Sequence, residues 1–376
     1  MPALADIVRR HGPEYLRQFG ERMPADQRRA LRDIARCRTP ALGGQRWQCP
    51  RCGEERFSFH SCGNRHCPAC GADDARQWLD RQQALLLPVD YHLATFTVPE
   101  ALRRPLRSHP RELLGLLFQT SASTLLDLCA NPRWFGATPG VTAVLHTWTR
   151  QLEYHPHVHF LVTGGGLDRR GVWREPARGF LVPVHALSRV FRARFRDGLR
   201  GRHPEIFAAI PSTVWTQSWV VHCKSVGSGE HALRYLARYI HRVALSNRAI
   251  LAADEQRVRF RYRRSEDGKG RTCALAPEEF LRRFLQHVLP RGFVKVRSYG
   301  LHHPRRRAAL PLLRAALCLR AGRPIPVPPS PSPPPPCRCP RCQSIMFLVE
   351  RLRPVRSGRP LFQFDRLDPP ARGPPP

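Results

Sequence analysis

Apolar and polar positions alternate along this chain with two periods, and the switches between them cut it into short elements. From residue 3 to residue 36 apolar residues return every three or four positions, which predicts two short helices broken near Gly20 to Pro24. Asp73 to Leu87 repeats the helical pattern and stops at Pro88. Residues 91–98 (Tyr-His-Leu-Ala-Thr-Phe-Thr-Val) alternate as a strand does and are closed by Pro99. Leu113 to Leu128 fits a buried helix. Val141 to Trp148 and His157 to Val162 read as a strand pair joined by a polar turn, with Gly164-Gly165-Gly166 ending the second strand. His185 to Leu199 is predicted helical, Val214 to Val221 a strand, Gly229 to Val243 a helix, residues 256–263 a strand, and Pro277 to Leu289 a helix. From Arg323 onward proline dominates, including Pro333 to Pro336, which predicts an extended, disordered spacer. Strands separated by helices imply an α+β fold, a sheet with helices mostly on one face. The expected division is 1–88, 89–303 and 304–376.

Charge changes the picture most. The 376 residues carry a formal net charge of +33, and all but Lys224, Lys269 and Lys295 of the 62 basic residues are arginine. An arginine bias also fits a GC-rich coding sequence, so each arginine is not read as a contact. The guanidinium is nonetheless a planar fork suited to phosphate, and the excess calls for a polyanionic partner, nucleic acid before an acidic membrane. No stretch approaches 18 apolar residues, and Asp6, Arg9, Arg10 and Glu14 interrupt the first 18, so neither a span nor a signal peptide is expected. The expected location is the cytoplasm.

Six of the 13 cysteines stand in Cys-x-x-Cys pairs, which in a reducing compartment means metal rather than disulfides. Cys49-Pro50-Arg51-Cys52 and Cys67-Pro68-Ala69-Cys70 form C-x2-C-x14-C-x2-C, close to the spacing of a four-thiolate, structural zinc site. Cys37, His60, Cys62 and His66 lie in or beside the same module, and Cys37, Cys62 and His66 are candidates for a second zinc, or His66, beside Arg65, for a DNA contact. Cys337, Cys339 and Cys342 offer three late ligands with no obvious fourth. Cys129, Cys223, Cys273 and Cys318 are isolated and are read as packing residues.

His157 and His159 project from the same face of their strand, with His155 in the same phase, while Val158, Phe160 and Val162 face a core. Two such imidazoles can hold a divalent cation and leave positions open for a substrate oxygen. Tyr235 and Tyr239, four apart, share one face of the 229–243 helix. An aromatic pair packing into a core is the competing reading. Against it, Arg234, Arg238, His241 and Arg242 crowd the same helix, which suits a face lying on phosphates. A free phenol has a pKa near 10 and is a poor nucleophile unless a cation stabilises its phenolate.

Several stretches in order then resemble the HUH-type rolling-circle transposases of the insertion sequence 91 family, which carry an N-terminal zinc-binding domain. They are Cys37-Arg-Thr-Pro-Ala-Leu-Gly-Gly44, Ser61-Cys-Gly-Asn-Arg-His-Cys-Pro-Ala-Cys70, Phe96-Thr-Val-Pro99, His155-Pro-His-Val-His159, Thr163-Gly-Gly-Gly166, the run Tyr235 to Asn247, and Phe284 to Phe293. The resemblance implies a central domain with the fold of rolling-circle replication initiators, His157 and His159 binding Mg²⁺ or Mn²⁺, and Tyr235 attacking a phosphate at an element's end to give a 5′-phosphotyrosine and a free 3′-OH. Tyr239 would take over a second strand. A third metal ligand is expected; His146, on the neighbouring strand, is the geometric candidate, with Gln151 and His241 as rivals. The partners implied are single-stranded element ends and target DNA, not a membrane. The chain shows no GxxxxGK[ST] loop, so strand separation would fall to a host helicase or replication proteins. The tail with Cys337, Cys339 and Cys342 departs from the family pattern. A non-catalytic zinc-ribbon regulator and a plasmid replication initiator are the alternatives.

Overall fold

In the computed structural model the described residues are 2–177, 180–240, 245–264, 267–322, 324 and 336–355, without the side chains of residues 72–74 and 238–240. They form two compact units that interleave along the chain, one from residues 1–72, 245–288 and 329–376, the other from 73–244 and 289–328. This differs from the linear division at 88 and 303. The cause is visible in the first unit, where the Asn247 side chain accepts from the Leu4 amide at 3.0 Å and Gln27 donates to the Leu285 carbonyl at 3.0 Å.

The first unit begins with the two expected helices, α1 (Leu4–Phe19) and α2 (Ala25–Arg36), each burying one apolar stripe. The hairpin of β1 (Gly44–Gln48) and β2 (Glu55–Phe59) follows, in register from Gly44 opposite Phe59 to Gln48 opposite Glu55. Its third strand comes from the far end of the chain: β12 (Phe347–Leu352) pairs antiparallel with β1. The expected spacer thus contains an ordered strand; residues 325–335 lie outside the described set. A second sheet, β8 (Ile250–Ala253), β9 (Val258–Arg263) and β10 (Gly270–Leu275), precedes α10 (Pro277–Leu285), whose Phe280 packs on Phe260.

The second unit is built on an antiparallel sheet in the order β11-β4-β5-β3-β7, with β6 (Trp173–Arg174) paired to the end of β5. The strands are β3 (Tyr91–Thr97), β4 (Thr138–Trp148), β5 (Tyr154–Leu167), β7 (Val221–Ser225) and β11 (Val296–Gly300). Strand alternation sorts the side chains. Ala94, Phe96, Val141, Ala143, Leu145, Val158, Phe160 and Val162 face one layer, formed by α4 (Arg103–Ser108), α5 (Pro110–Ala130) and α6 (Val184–Arg202). Tyr91, Val144 and Leu161 face the other, where Trp78 of α3 (Gly71–Gln83) and Ala232, Leu233, Leu236 and Ala237 of α9 (Glu230–Ile240) cover them. Helices therefore flank both faces rather than mostly one. Below the sheet's far end, α11 (Leu310–Arg320) buries Leu310 and Leu317 against Leu87 and Leu301.

Three further expectations are corrected. Helix α5 is long and apolar enough to cross a membrane, contrary to the reading that no stretch is, but 61% of that window is buried in the core of the unit. The Gly164-Gly165-Gly166 run does not end β5. It lets the strand continue where no side chain fits, since a Cβ on Gly165 would stand 2.1 Å from the Trp173 ring and one on Gly166 2.5 Å from the Thr138 carbonyl oxygen. Val214 to Val220 is not a strand, and pairing begins only at Val221. After α7 (Pro204–Ala208), residues Thr213–Thr216 form the turn α8, and Trp219 donates to the Val214 carbonyl at 2.9 Å within an aromatic cluster with Phe191, Phe195 and Trp215. The β-prone residues are there for packing, which overrides strand propensity.

Candidate catalytic face and cysteine centres

On the face covered by α3 and α9, strand register gathers three histidines. His146 of β4 lies opposite His157 of β5, and His159 stands two residues further along the same face. Their ring nitrogens offer ligand atoms all within 4.8 Å of one another. Ring centroids are 4.4 Å apart for His146 and His159, 4.8 Å for His157 and His159, and 5.3 Å for His146 and His157. His146 thus stands where a third ligand was expected, and the rival His241 lies outside the described residues. His155 is 5.3 Å from His157, ring to ring, and is not in the group.

A backbone neighbour fixes the tautomer of His157. The His157 Nδ1 lies 2.7 Å from the His155 carbonyl oxygen, which can only accept, so Nδ1 carries the proton and Nε2 keeps its lone pair. The His159 Nδ1 lies 2.8 Å from Thr95 Oγ1, on the adjacent strand directly opposite, and the buried His159 Nε2 has no hydrogen-bond partner among the described residues. Burial lowers all three: His159 to about 3, His157 to about 4, and His146 well below its ordinary value, with the other two rings and Lys295 adding to the effect. At neutral pH the rings are uncharged, and neutral imidazoles suit a divalent cation.

Helix α9 brings a phenol to this face. Its apolar residues pack downward on the sheet, which leaves Tyr235 39% exposed with its ring centroid 6.2 Å from that of His159. Arg234 is exposed beside it and pairs with Glu230 at 2.9 Å. The side chains of Tyr239 and Arg238, and all of Arg242, lie outside the described residues. Arg65 is exposed in the other unit, in the loop that carries Cys62 and Cys67.

The cysteines form two groups of four, but not those predicted. Cys37, Cys62, Cys67 and Cys70 make one, and Cys49, Cys52, Cys339 and Cys342 the other. Within them Sγ atoms are 3.4–3.6 Å apart, for example 3.4 Å for Cys49 and Cys342 and 3.6 Å for Cys67 and Cys37. Four sulfurs about 2.3 Å from a tetrahedral zinc would stand about 3.8 Å apart, so the spacing fits, whereas a disulfide needs about 2.05 Å. Geometry explains the regrouping. Cys49 and Cys52 sit at the tip of the β1–β2 hairpin; Cys37, Cys62, Cys67 and Cys70 converge at its base, five residues or about 17 Å away at about 3.4 Å per residue. The C-x2-C-x14-C-x2-C spacing therefore spans two centres. His66 is buried but belongs to neither group, and of the three tail cysteines only Cys339 and Cys342 join one; the Cys337 sulfur instead lies 3.8 Å from Arg56 Nη1. In the base centre, hydrogen bonds from Cys37 and Cys62 pull the Cys70 thiol far below its usual range, while contact with Cys37 pushes Cys62 and Cys67 up. Four crowded thiols cannot all ionise without a cation among them.

These two arrangements match known families. Residues 7–98 fit a family model described as "Transposase zinc-binding domain", and residues 140–309, which contain all three histidines and Tyr235, fit one described as "Putative transposase". The class is therefore a transposase that carries its own zinc-binding domain. The chain is 39% identical over 318 residues to "Putative transposase y4qJ" of Sinorhizobium fredii, covering 80% of each, and 29% identical over 283 residues to the "Transposase for insertion sequence element IS801" of Pseudomonas savastanoi pv. phaseolicola, covering 70% of this chain and 67% of that one. The chain belongs to the insertion sequence 91 family of transposases.

Proposed function

We propose that this transposase cuts single-stranded DNA at the ends of its element with the Tyr235 phenol and passes the strand on in rolling-circle transposition, the chemistry of an HUH enzyme. One observation carries the reading: an exposed tyrosine on α9 stands with its ring 6.2 Å from a buried three-histidine cluster. A core-packing tyrosine would turn the other way, as Leu233 and Leu236 do.

His146, His157 and His159 would hold a divalent cation, which supplies Lewis-acid polarisation of the scissile phosphate. Among Mg²⁺ and Mn²⁺ the all-imidazole donor set favours Mn²⁺, since Mg²⁺ prefers oxygen. Because all three donors are neutral, none of the cation's charge is spent on the protein. The Tyr235 oxygen gives up its proton and bonds to phosphorus; the 3′ oxygen leaves and takes up a proton as a 3′-OH. The product is a 5′-phosphotyrosine that keeps the energy of the broken ester, so rejoining to a second 3′-OH requires no ATP. Arg234 offers a cation beside the phenol. Tyr239, one turn on, would serve the second strand, with Arg65, Arg238 and Arg242 as further phosphate contacts. The substrate places the reaction in the cytoplasm, at the nucleoid, beside host helicase and replication proteins.

The test is a labelled single-stranded oligonucleotide carrying the element's terminal sequence. A detergent-resistant protein–DNA adduct that needs Mn²⁺ or Mg²⁺ and disappears in Tyr235→Phe is expected. Binding without any adduct would leave a zinc-stabilised DNA-binding regulator.

A further inference from the structure

We infer that the tip of the β1–β2 hairpin is a second, chain-spanning zinc centre, in which Cys339 and Cys342 of the tail complete the half-site of Cys49 and Cys52 and so fasten β12 to the sheet. The family model for the zinc-binding domain ends at residue 98 and the other at residue 309, so neither includes the two tail ligands.

The two halves are built alike. Both read Cys-Pro-Arg-Cys, at 49–52 and at 339–342. In each the first cysteine's amide donates to the carbonyl five residues on, Cys49 to Glu54 at 2.9 Å and Cys339 to Ser344 at 2.8 Å. In each the residue after the second cysteine donates back to the first cysteine's carbonyl, Gly53 at 3.0 Å and Gln343 at 2.9 Å. That residue has positive φ in both, 73° at Gly53 and 60° at Gln343. A left-handed glutamine is an unfavourable conformation for an L-residue, and here it closes a knuckle whose two thiols point at the opposite pair. The Cys49–Cys342 and Cys52–Cys339 contacts, at 3.4 and 3.5 Å, cross between the halves. Zn²⁺ would displace the thiol protons to water, and each Cys-Pro-Arg-Cys run carries an arginine, Arg51 or Arg341, to set against the net −2 of a four-thiolate zinc. β12 follows at once, with Phe347 opposite Gln48 beside the tip, so the centre sets the register in which the tail pairs with β1.

The experiment is zinc content of the purified full chain. Two zinc ions per chain are expected, falling to one in Cys339→Ser/Cys342→Ser and staying at two in Cys337→Ser. One zinc in the unaltered chain, two in the double variant, or a loss in Cys337→Ser would overturn the assignment. Should the double variant not fold, alkylation of the unaltered protein decides. Cys49, Cys52, Cys339 and Cys342 are expected to become reactive together when a chelator removes zinc. Equal reactivity of Cys339 and Cys342 with and without chelator would overturn it.

Discussion

His146, His157 and His159 are gathered by the register of two neighbouring strands, a short stretch of sequence, and the hydrogen-bonding partners of His157 and His159 come from the same sheet. Cys52 and Cys339, by contrast, meet across 287 positions of sequence, and each belongs to a knuckle of its own. A backbone ladder holds the first site in place whatever it binds. The second site has little beneath it: its apolar cluster is Cys49, Cys339 and Met346 with Trp47 and other sulfurs. The candidate ligand atoms of one site are a product of the fold, while in the other they stand in for a core.

Stripping the metal is the strongest way to break this contrast. A structural zinc contributes about 10–16 kcal/mol of apparent binding energy, so its removal should cost β1, β2 and β12 their amide-exchange protection while β3, β4 and β5 keep theirs. Equal loss in both sheets would erase the distinction. Next in size, Tyr235→Phe should reduce covalent adduct formation by at least about a thousandfold with DNA binding retained, because it removes the proposed nucleophile and nothing from the sheet.

A smaller effect concerns acid. His302, which follows β11, is buried with Nδ1 3.2 Å from Thr142 Oγ1, and burial lowers its pKa to about 4. Its folded value lies below the unfolded 6.5, so the unfolded chain takes up the proton first. Stability is full above about pH 6.5 and declines as pH falls towards 4, by up to about 3 kcal/mol for a shift of this size. Denaturation at pH 7.5 and 5 should show a smaller loss in His302→Asn, which keeps an acceptor or donor near Thr142 but cannot charge. Last, Thr95→Val removes the oxygen beside His159 Nδ1 while preserving a β-branched strand residue. Mn²⁺ affinity should fall about 10- to 100-fold and recover in Thr95→Ser. Unchanged affinity would mean that the sheet alone orients the ring.

How much of this was legible in the sequence follows the same divide. Alternation in 157–162 put His157 and His159 on one face correctly, and the polar turn after Trp148 was enough to place His146 across from them. Thr95 was not found, since strand order, not spacing, sets it opposite His159. The cysteine pairs were seen but grouped wrongly, because a spacing rule counts residues and cannot see that a five-residue hairpin holds its two ends apart. Cys339 and Cys342 lacked a fourth partner only while the tail was read as a spacer. In Val214 to Val221 the strand-forming residues serve an aromatic cluster instead, a choice that only tertiary packing makes.

The interleaving of the two units bears on how the polypeptide is made. The histidine sheet has all its strands once Gly300 has been synthesised, whereas the hairpin tip must wait on the ribosome for Cys342. A stop codon or frameshift between those points would release a product with a finished histidine face and a half-built clasp. Truncated copies of the element would then fail first in the part of the protein made earliest.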